Sequence, residues 1–151
     1  MGRSWVTVSS IRCRGTKMEQ AWYDPWAHAD DLGATIRYRD DIPRGISGAY
    51  LNGVIYLRRR LPRALERCIL AHEIVHYEHD DRGYYPMSEY RADRIAARRL
   101  IDYDGFMASA RRTNDLGRIA RDLGVPARLL VAWVRSSGTH ETGSVLEHLI
   151  R

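Results

Sequence analysis

Cysteine and long apolar runs are both scarce in this chain of 151 residues. Only Cys13 and Cys68 are present, without a CxxC pair, which favours two free thiols in a reducing cytoplasm over a disulfide-linked secreted domain. The longest strongly apolar stretch, residues 129–134, is far below the roughly 20 residues that a membrane-spanning helix needs. The N-terminus lacks the apolar segment of a secretory signal. We therefore expect a cytoplasmic protein without a membrane partner.

Positive charge is concentrated at the N-terminus. The net charge is +5, but residues 1–17 contain four cationic residues and no acidic one, which leaves +1 for the remainder. This distribution gives little support to nucleic-acid binding by the folded body. We expect residues 1–17 to be a flexible extension, with Met18 as a candidate alternative start. An ordered strand through residues 5–8 is the other interpretation.

The length and composition predict one globular domain. Hydrophobic residues make up 44% and charged residues 28% of the chain, as in ordinary folded proteins. We predict that the domain covers residues 18–135. Residues 136–151 are expected to form a linker and a short C-terminal helix.

Local signals predict a mixture of strands and helices. An Asp-Pro pair at residues 24–25 predicts the start of a helix, and residues 34–39 alternate like a strand. An Asn-Gly pair at residues 52–53 separates two strand-like runs and predicts a hairpin. Further helices are predicted near residues 63–78, 88–102, 114–123 and 126–135. The expected fold class is α+β, with a small antiparallel sheet of about three strands packed on helices.

The clearest chemical signal is an HExxH sequence over residues 72–76. On a helix, His72 and His76 lie on one face, one turn apart, so both imidazoles can bind the same ion. Glu73 can accept a proton from an attacking water. The alternative is a pair of unremarkable histidines on an amphipathic helix. The uncharged residues around the motif favour a helix that is buried on most sides.

A catalytic zinc ion takes three protein ligands and keeps one position open. His79 is a weak third candidate, because three ligands from one straight helix converge poorly on a tetrahedral ion. Glu89 opens the next predicted helix, and Asp93, one turn later, can accept the other N–H of a ligating imidazole. Alternatively, Glu89 interacts with the helix dipole and Asp93 pairs with nearby arginines. We predict one Zn²⁺ per chain, although manganese and iron accept the same ligands.

Two segments carry a resemblance to a known family. Residues 70–76 (Leu-Ala-His-Glu-Ile-Val-His) and 89–97 (Glu-Tyr-Arg-Ala-Asp-Arg-Ile-Ala-Ala) resemble the ImmA/IrrE metallopeptidases, and the similarity runs through residues 25–135. The resemblance implies a zincin-type core in which a small sheet packs on two metal-bearing helices. It also implies a zinc-dependent endopeptidase that acts on DNA-binding repressors of phages, mobile elements or stress genes.

Carried over to this sequence, the resemblance makes His72, His76 and Glu89 the metal ligands and Glu73 the catalytic base. The implied partner is a protein substrate, a helix-turn-helix repressor. The segment after residue 135 is short, so we expect no added sensor domain there, and the regulatory input is left open.

Residues 116–135 have the spacing of a helix-turn-helix. The second helix lacks the Asn, Gln or Ser side chains that usually contact base edges, so direct nucleic-acid binding is not expected. We expect these helices to pack on the peptidase core or to dock a protein. The alternative function is a module that binds a repressor without cutting it, or that binds DNA through this hairpin.

Two pairs of tyrosines are further candidates. Tyr84 and Tyr85, between the two metal-bearing helices, can donate a hydrogen bond to the oxyanion of the transition state, or can instead cover the underside of their loop. Tyr50 and Tyr56, on the predicted hairpin, can border a substrate that pairs with a free strand edge, or can be ordinary sheet residues.

Overall fold

The computed structural model describes residues 23–137. The predicted extension at residues 1–17 and most of the segment 136–151 lie outside the described residues. The described part contains six helices and three strands, and the predicted α+β class is confirmed. In chain order the elements are α1 (Pro25–Asp31), β1 (Thr35–Arg39), β2 (Gly48–Leu51), β3 (Val54–Arg58), α2 (Arg63–His79), α3 (Pro86–Leu100), α4 (Tyr103–Ala110), α5 (Leu116–Asp122) and α6 (Ala127–Ser136).

The sheet is mixed, with the strand order β1-β3-β2. The predicted hairpin is present: β2 and β3 pair antiparallel across Asn52 and Gly53, which have φ angles of 50° and 79°. The expectation of a wholly antiparallel sheet is wrong, because β1 pairs with β3 in parallel. Ile55 and Leu57 of β3 are fully buried, so the most apolar strand takes the centre. The connection from β1 to β2 therefore passes from one edge of the sheet, past the central strand β3, to the other edge.

Helix α2 lies between two apolar clusters. Toward the sheet, its Ile69, Leu70 and Ile74 belong to a cluster with the buried residues of β3. On another side, its Cys68 and Ala71 belong to a cluster built mainly from α3, α4, α5 and α6. Residues 68–76 are therefore buried without interruption, which is why the histidines and the glutamate of the HExxH sequence lie in the interior.

The chain reverses direction between α2 and α3. Asp80 ends α2 in a left-handed conformation, with φ and ψ both 47°, and its N–H donates to Tyr77 O. Asp81 N–H donates to His76 O, and Pro86 then begins α3, two residues before the predicted start. This short loop brings the first turn of α3 back beside the last turns of α2.

The predicted hairpin at residues 116–135 is present as α5 and α6, joined at Gly124, whose φ is 66°. Five of the ten residues of α6 are buried, and α6 packs against α3. Helix α4 was not predicted, because it has only eight residues and a glycine, Gly105, in its first turn. None of the described helices is long and apolar enough to cross a membrane.

Candidate metal centre

Three predicted ligands meet where α2 faces the start of α3. The Nε2 atoms of His72 and His76 lie 3.0 Å apart. Glu89 places Oε2 3.3 Å from His72 Nε2 and Oε1 3.3 Å from His76 Nε2. One ligand atom from each residue lies within 4.8 Å of the other two, so the group could hold a metal ion. The two histidines are buried and the glutamate is half-buried.

Each imidazole is oriented by a carboxylate on its other nitrogen. His72 Nδ1 donates to Asp93 Oδ1 over 2.9 Å, and His76 Nδ1 donates to Asp81 Oδ2 over 2.8 Å. A proton held at Nδ1 leaves the Nε2 lone pair available for a cation. Asp93 lies where the sequence predicted, whereas the contact of Asp81 was missed. Its only signal was a carboxylate five residues after His76.

Both carboxylates are in turn paired with an arginine. Arg128 Nη1 donates to Asp93 Oδ1 over 2.8 Å, and Arg91 Nη2 donates to Asp81 Oδ2 over 2.7 Å. Burial raises the pKa of Asp93, but the hydrogen bond from His72 and the charge of Arg128 outweigh it, so the pKa lies below its ordinary value. Asp81 behaves in the same way with Arg91 and His76. Both groups are therefore ionised at neutral pH and can hold an imidazole N–H.

Glu73 lies beside the ligands and is buried, with 7% of its surface exposed. Burial raises its pKa, while the neighbouring His72 and His76 act in the opposite direction and Glu89 adds to the increase. The backbone N–H of Tyr50 on β2 also lowers the pKa of this carboxyl group. Glu73 is thus held between the two histidines and the edge strand of the sheet.

Gly48 allows β2 to approach Glu73 this closely. A Cβ at this position would lie 3.1 Å from both Cγ and Oε1 of Glu73 and would clash with Ile69 Cγ2. A Cβ at this position therefore requires the Ile69 side chain, or the strand or helix itself, to shift. Sequence reasoning assigned Gly48 to a strand but missed this role, which depends on a residue 25 positions away in the chain.

The centre opens into a groove of about 640 Å³. It is lined by residues 45–51, which belong to β2 and the loop before it. The lining also includes His72, Glu73, Tyr84 and Arg128. The site therefore combines buried polar groups with an open face that could admit an extended chain.

The four tyrosines singled out in the sequence differ in their position relative to the groove. Tyr50 lies on the edge strand and lines the groove, with its hydroxyl donating to Asp80 Oδ1 over 2.7 Å. Tyr56 lies on the central strand and is not among the residues that line the groove. Tyr84 lines the groove and is 78% exposed, whereas Tyr85 precedes α3 and does not line it.

His79, the weaker candidate for the third ligand, points elsewhere. Its Nδ1 donates to the carbonyl of Val75, one turn earlier on α2, over 2.8 Å. The group of ligand atoms found among residues 23–137 contains Glu89 and not His79.

The chain matches the model of one protein family. No curated protein and no solved structure matches the chain. Residues 29–132, more than half of the chain, match the model of the IrrE N-terminal-like domain. The matched range contains every residue described above for the metal centre. The chain therefore belongs to the IrrE N-terminal-like family, that of the ImmA/IrrE metallopeptidases, as the resemblance of its two motifs predicted.

Proposed function

We propose that this protein is a zinc-dependent endopeptidase in which His72, His76 and Glu89 bind the ion and Glu73 is the general base. The observation that carries the proposal is the convergence of three ligand atoms within 4.8 Å, beside a buried carboxylate, in the lining of an open groove. Family membership supports the same reading.

The donor set fits a catalytic zinc ion. Two imidazole nitrogens and one carboxylate oxygen are typical of such sites, which keep a fourth position for water or substrate. A structural zinc would be closed by four ligands and would commonly use cysteine. Cys68 is instead buried against the carbonyl of Gly124, and burial raises its pKa to about 11. Manganese and iron accept similar donors, so metal analysis must decide between them.

Glu73 moves the proton in the proposed reaction. When bound, the ion supplies positive charge that favours deprotonation of water and stabilises negative charge on the attacked carbonyl oxygen. The Glu73 carboxylate takes one proton from the attacking water as the new C–O bond forms. It then gives that proton to the leaving amine nitrogen as the C–N bond breaks. Burial raises its pKa, which makes the carboxylate a better proton acceptor.

The substrate is proposed to lie along β2. Ser47 O accepts from Arg58 N–H, so the main-chain groups of residue 47 face β3. Because these groups alternate along a strand, those of Gly48 and Tyr50 face the groove. An extended peptide can pair with such an edge. Tyr84 is the proposed oxyanion donor because its exposed phenol lines the same groove.

The proposed substrate is a helix-turn-helix repressor in the same cytoplasm. This class follows from the resemblance to the ImmA/IrrE peptidases. The hairpin at α5 and α6 packs on the metal-bearing helix α3, which supports a role inside the peptidase domain rather than in reading DNA.

Intact-mass analysis tests the proposal. The zinc-loaded protein is incubated with a helix-turn-helix repressor from the same organism, with and without chelator. The Glu73→Gln protein is the matched control. Two complementary fragments in the zinc-loaded reaction alone are expected. A stable complex without fragments would overturn catalysis in favour of a module that sequesters the repressor. Cleavage that survives both the chelator and the substitution would overturn the assigned site.

A further inference from the structure

Arg128 is a groove residue carried by a helix that has no metal ligand. It lies in the first turn of α6, and both Arg128 and Pro126 line the groove. The next two residues, Leu129 and Leu130, are fully buried in the apolar cluster. The backbone that carries Arg128 is therefore anchored, and its side chain starts from a defined position beside the metal centre.

The guanidinium of Arg128 is only partly used within the protein. Nη1 donates to Asp93 Oδ1 over 2.8 Å, the same oxygen that accepts from His72 Nδ1. A guanidinium carries about five N–H donors, and this bond uses one of them. The side chain is 52% exposed, so it presents further donors to the groove.

Arg91 provides the internal comparison. Arg91 donates to Asp81, which in turn accepts from His76. This arrangement is the same as that of Arg128, Asp93 and His72. Arg91 is not among the residues that line the groove, and its side chain is less exposed, at 34%. Orientation of a histidine through a carboxylate therefore requires no exposure to the groove. Support of Asp93 therefore does not by itself account for the exposure of the Arg128 side chain at the groove.

Arg128 differs in charge from the other ionisable residues that line the groove. Among the described residues that line it, Arg128 is the one lysine or arginine, whereas Glu73, Asp81 and Glu89 are acidic. A peptide brings main-chain carbonyl oxygens and, in some sequences, acidic side chains. Each is an acceptor for a guanidinium N–H, and the bond is stronger than one between neutral groups.

We propose that Arg128 is a substrate-binding residue that holds an oxygen acceptor of the peptide while its Nη1 stays on Asp93. This inference rests on the proposed function, because it assumes that the groove binds peptide. The acceptor is either a main-chain carbonyl or the carboxylate of an Asp or Glu side chain of the substrate.

Peptide binding by a protein that cannot cleave tests this role. The Glu73→Gln protein, saturated with zinc, is titrated into two fluorescein-labelled randomised peptide pools, one containing Asp and Glu and the other Asn and Gln in their place. Fluorescence anisotropy measures affinity before and after Arg128→Gln or Arg128→Lys is added. Arg135→Gln removes the same charge from the exposed last turn of α6, and is the control. Zinc affinity is measured separately by chelator competition.

Arg128→Gln is expected to weaken peptide binding roughly 10–100-fold at saturating zinc, as for the loss of a charge-assisted hydrogen bond. Arg128→Lys should recover part of the affinity, and Arg135→Gln should change nothing. An equal loss in both pools identifies a main-chain carbonyl, and a loss confined to the acidic pool identifies a carboxylate.

Unchanged peptide affinity in both Arg128 variants, with reduced zinc affinity only, would overturn the inference and leave Arg128 as a support for Asp93. If the parental Glu73→Gln protein binds neither pool, the peptide groove of the proposed function fails, and this inference fails with it. Thermal unfolding of each variant shows whether its fold is retained.

Discussion

Glu73 shows at the scale of one residue how this fold tolerates a buried acid. An isolated buried carboxylate costs several kcal/mol, so it needs hydrogen bonds and nearby positive charge. Here the Tyr50 N–H and the two neighbouring histidines lower the pKa of Glu73, while burial raises it to a greater extent. A neutral amide of the same shape avoids the cost of burying a charge.

Glu73→Gln is expected to retain the fold and zinc binding. Its rate of cleavage should fall by about 10²–10⁴-fold, because an amide cannot take a proton from water. Thermal unfolding, elemental analysis and turnover of the repressor measure the three properties. Parental turnover in this variant would refute the assignment of the base.

Asp81→Asn and Asp93→Asn are each expected to weaken zinc binding by about 10–100-fold, because each removes the charge that holds an imidazole N–H. Glu89→Ala, which removes the proposed third ligand, should weaken zinc binding further. Competition with a chromophoric chelator measures the affinities. Asp80→Asn is the matched control, since Asp80 binds Tyr50 and Arg82 rather than a histidine. An unchanged zinc affinity in Glu89→Ala would rule out the third ligand.

Tyr84→Phe is expected to lower kcat by roughly 10²–10³-fold if its hydroxyl donates to the oxyanion, since the ring is kept and only the donor is lost. Tyr85→Phe is the control, because that ring lies outside the groove. Steady-state kinetics on the cleaved peptide separate kcat from KM. Near-parental kcat in both single variants and in the double variant would place the donor elsewhere.

At the scale of elements, the metal centre depends on three surfaces in contact. Helix α2 provides both histidines and Glu73, the first turn of α3 provides Glu89, and β2 covers Glu73 from the other side. The left-handed Asp80 turns the chain so that the first two surfaces face each other. Gly48 sets how closely the third can approach.

Gly48→Ala is expected to lower the free energy of unfolding by about 1–3 kcal/mol, as for other overpacked sites, because the new methyl group meets Ile69 and Glu73. The shift should also displace Glu73 and reduce turnover. Urea unfolding measures the stability. Ala49→Ser, one residue along the same strand and on its other face, should have a much smaller effect. Equal stability of Gly48→Ala and the parent would contradict the close packing.

At the scale of the whole molecule, each of the two apolar clusters includes residues of α2, the helix that carries His72 and His76. One cluster joins α2 to the sheet and α1, and the other joins it to the four later helices. His72, His76 and Glu89 connect α2 to the start of α3. An ion bound there crosslinks residues on both helices, so its binding free energy should add to the stability of the domain.

Saturating zinc is therefore expected to raise Tm. At a free zinc concentration of about 100 times Kd, binding adds about 2.7 kcal/mol to the free energy of unfolding. For a domain of this size, that corresponds to an increase in Tm on the order of 10 °C. Thermal melts with zinc, without zinc and with chelator measure the shift. Glu89→Ala should lose most of it, and a shift that persists in that variant would mean that zinc binds elsewhere.

Several features were determined by the sequence alone because their physical causes are local. The spacing of His72 and His76 follows from the helical repeat, and the hairpin follows from the positive φ angles of Asn52 and Gly53. The α+β class and most of the helices could be predicted for the same reason. Asp93 could be predicted as the partner of a histidine because it lies one helical turn from Glu89.

The tertiary structure alone decided the rest, because those features depend on residues far apart in the chain. The parallel pairing of β1 depends on β3 taking the buried centre of the sheet. The contact of Asp81 with His76 depends on the left-handed turn at Asp80. Arg128 lies 35 positions from Asp93, and no local pattern relates them. Only the packing of α6 against α3 brings that arginine to the groove, because apolar burial fixes the helix without regard to chain distance.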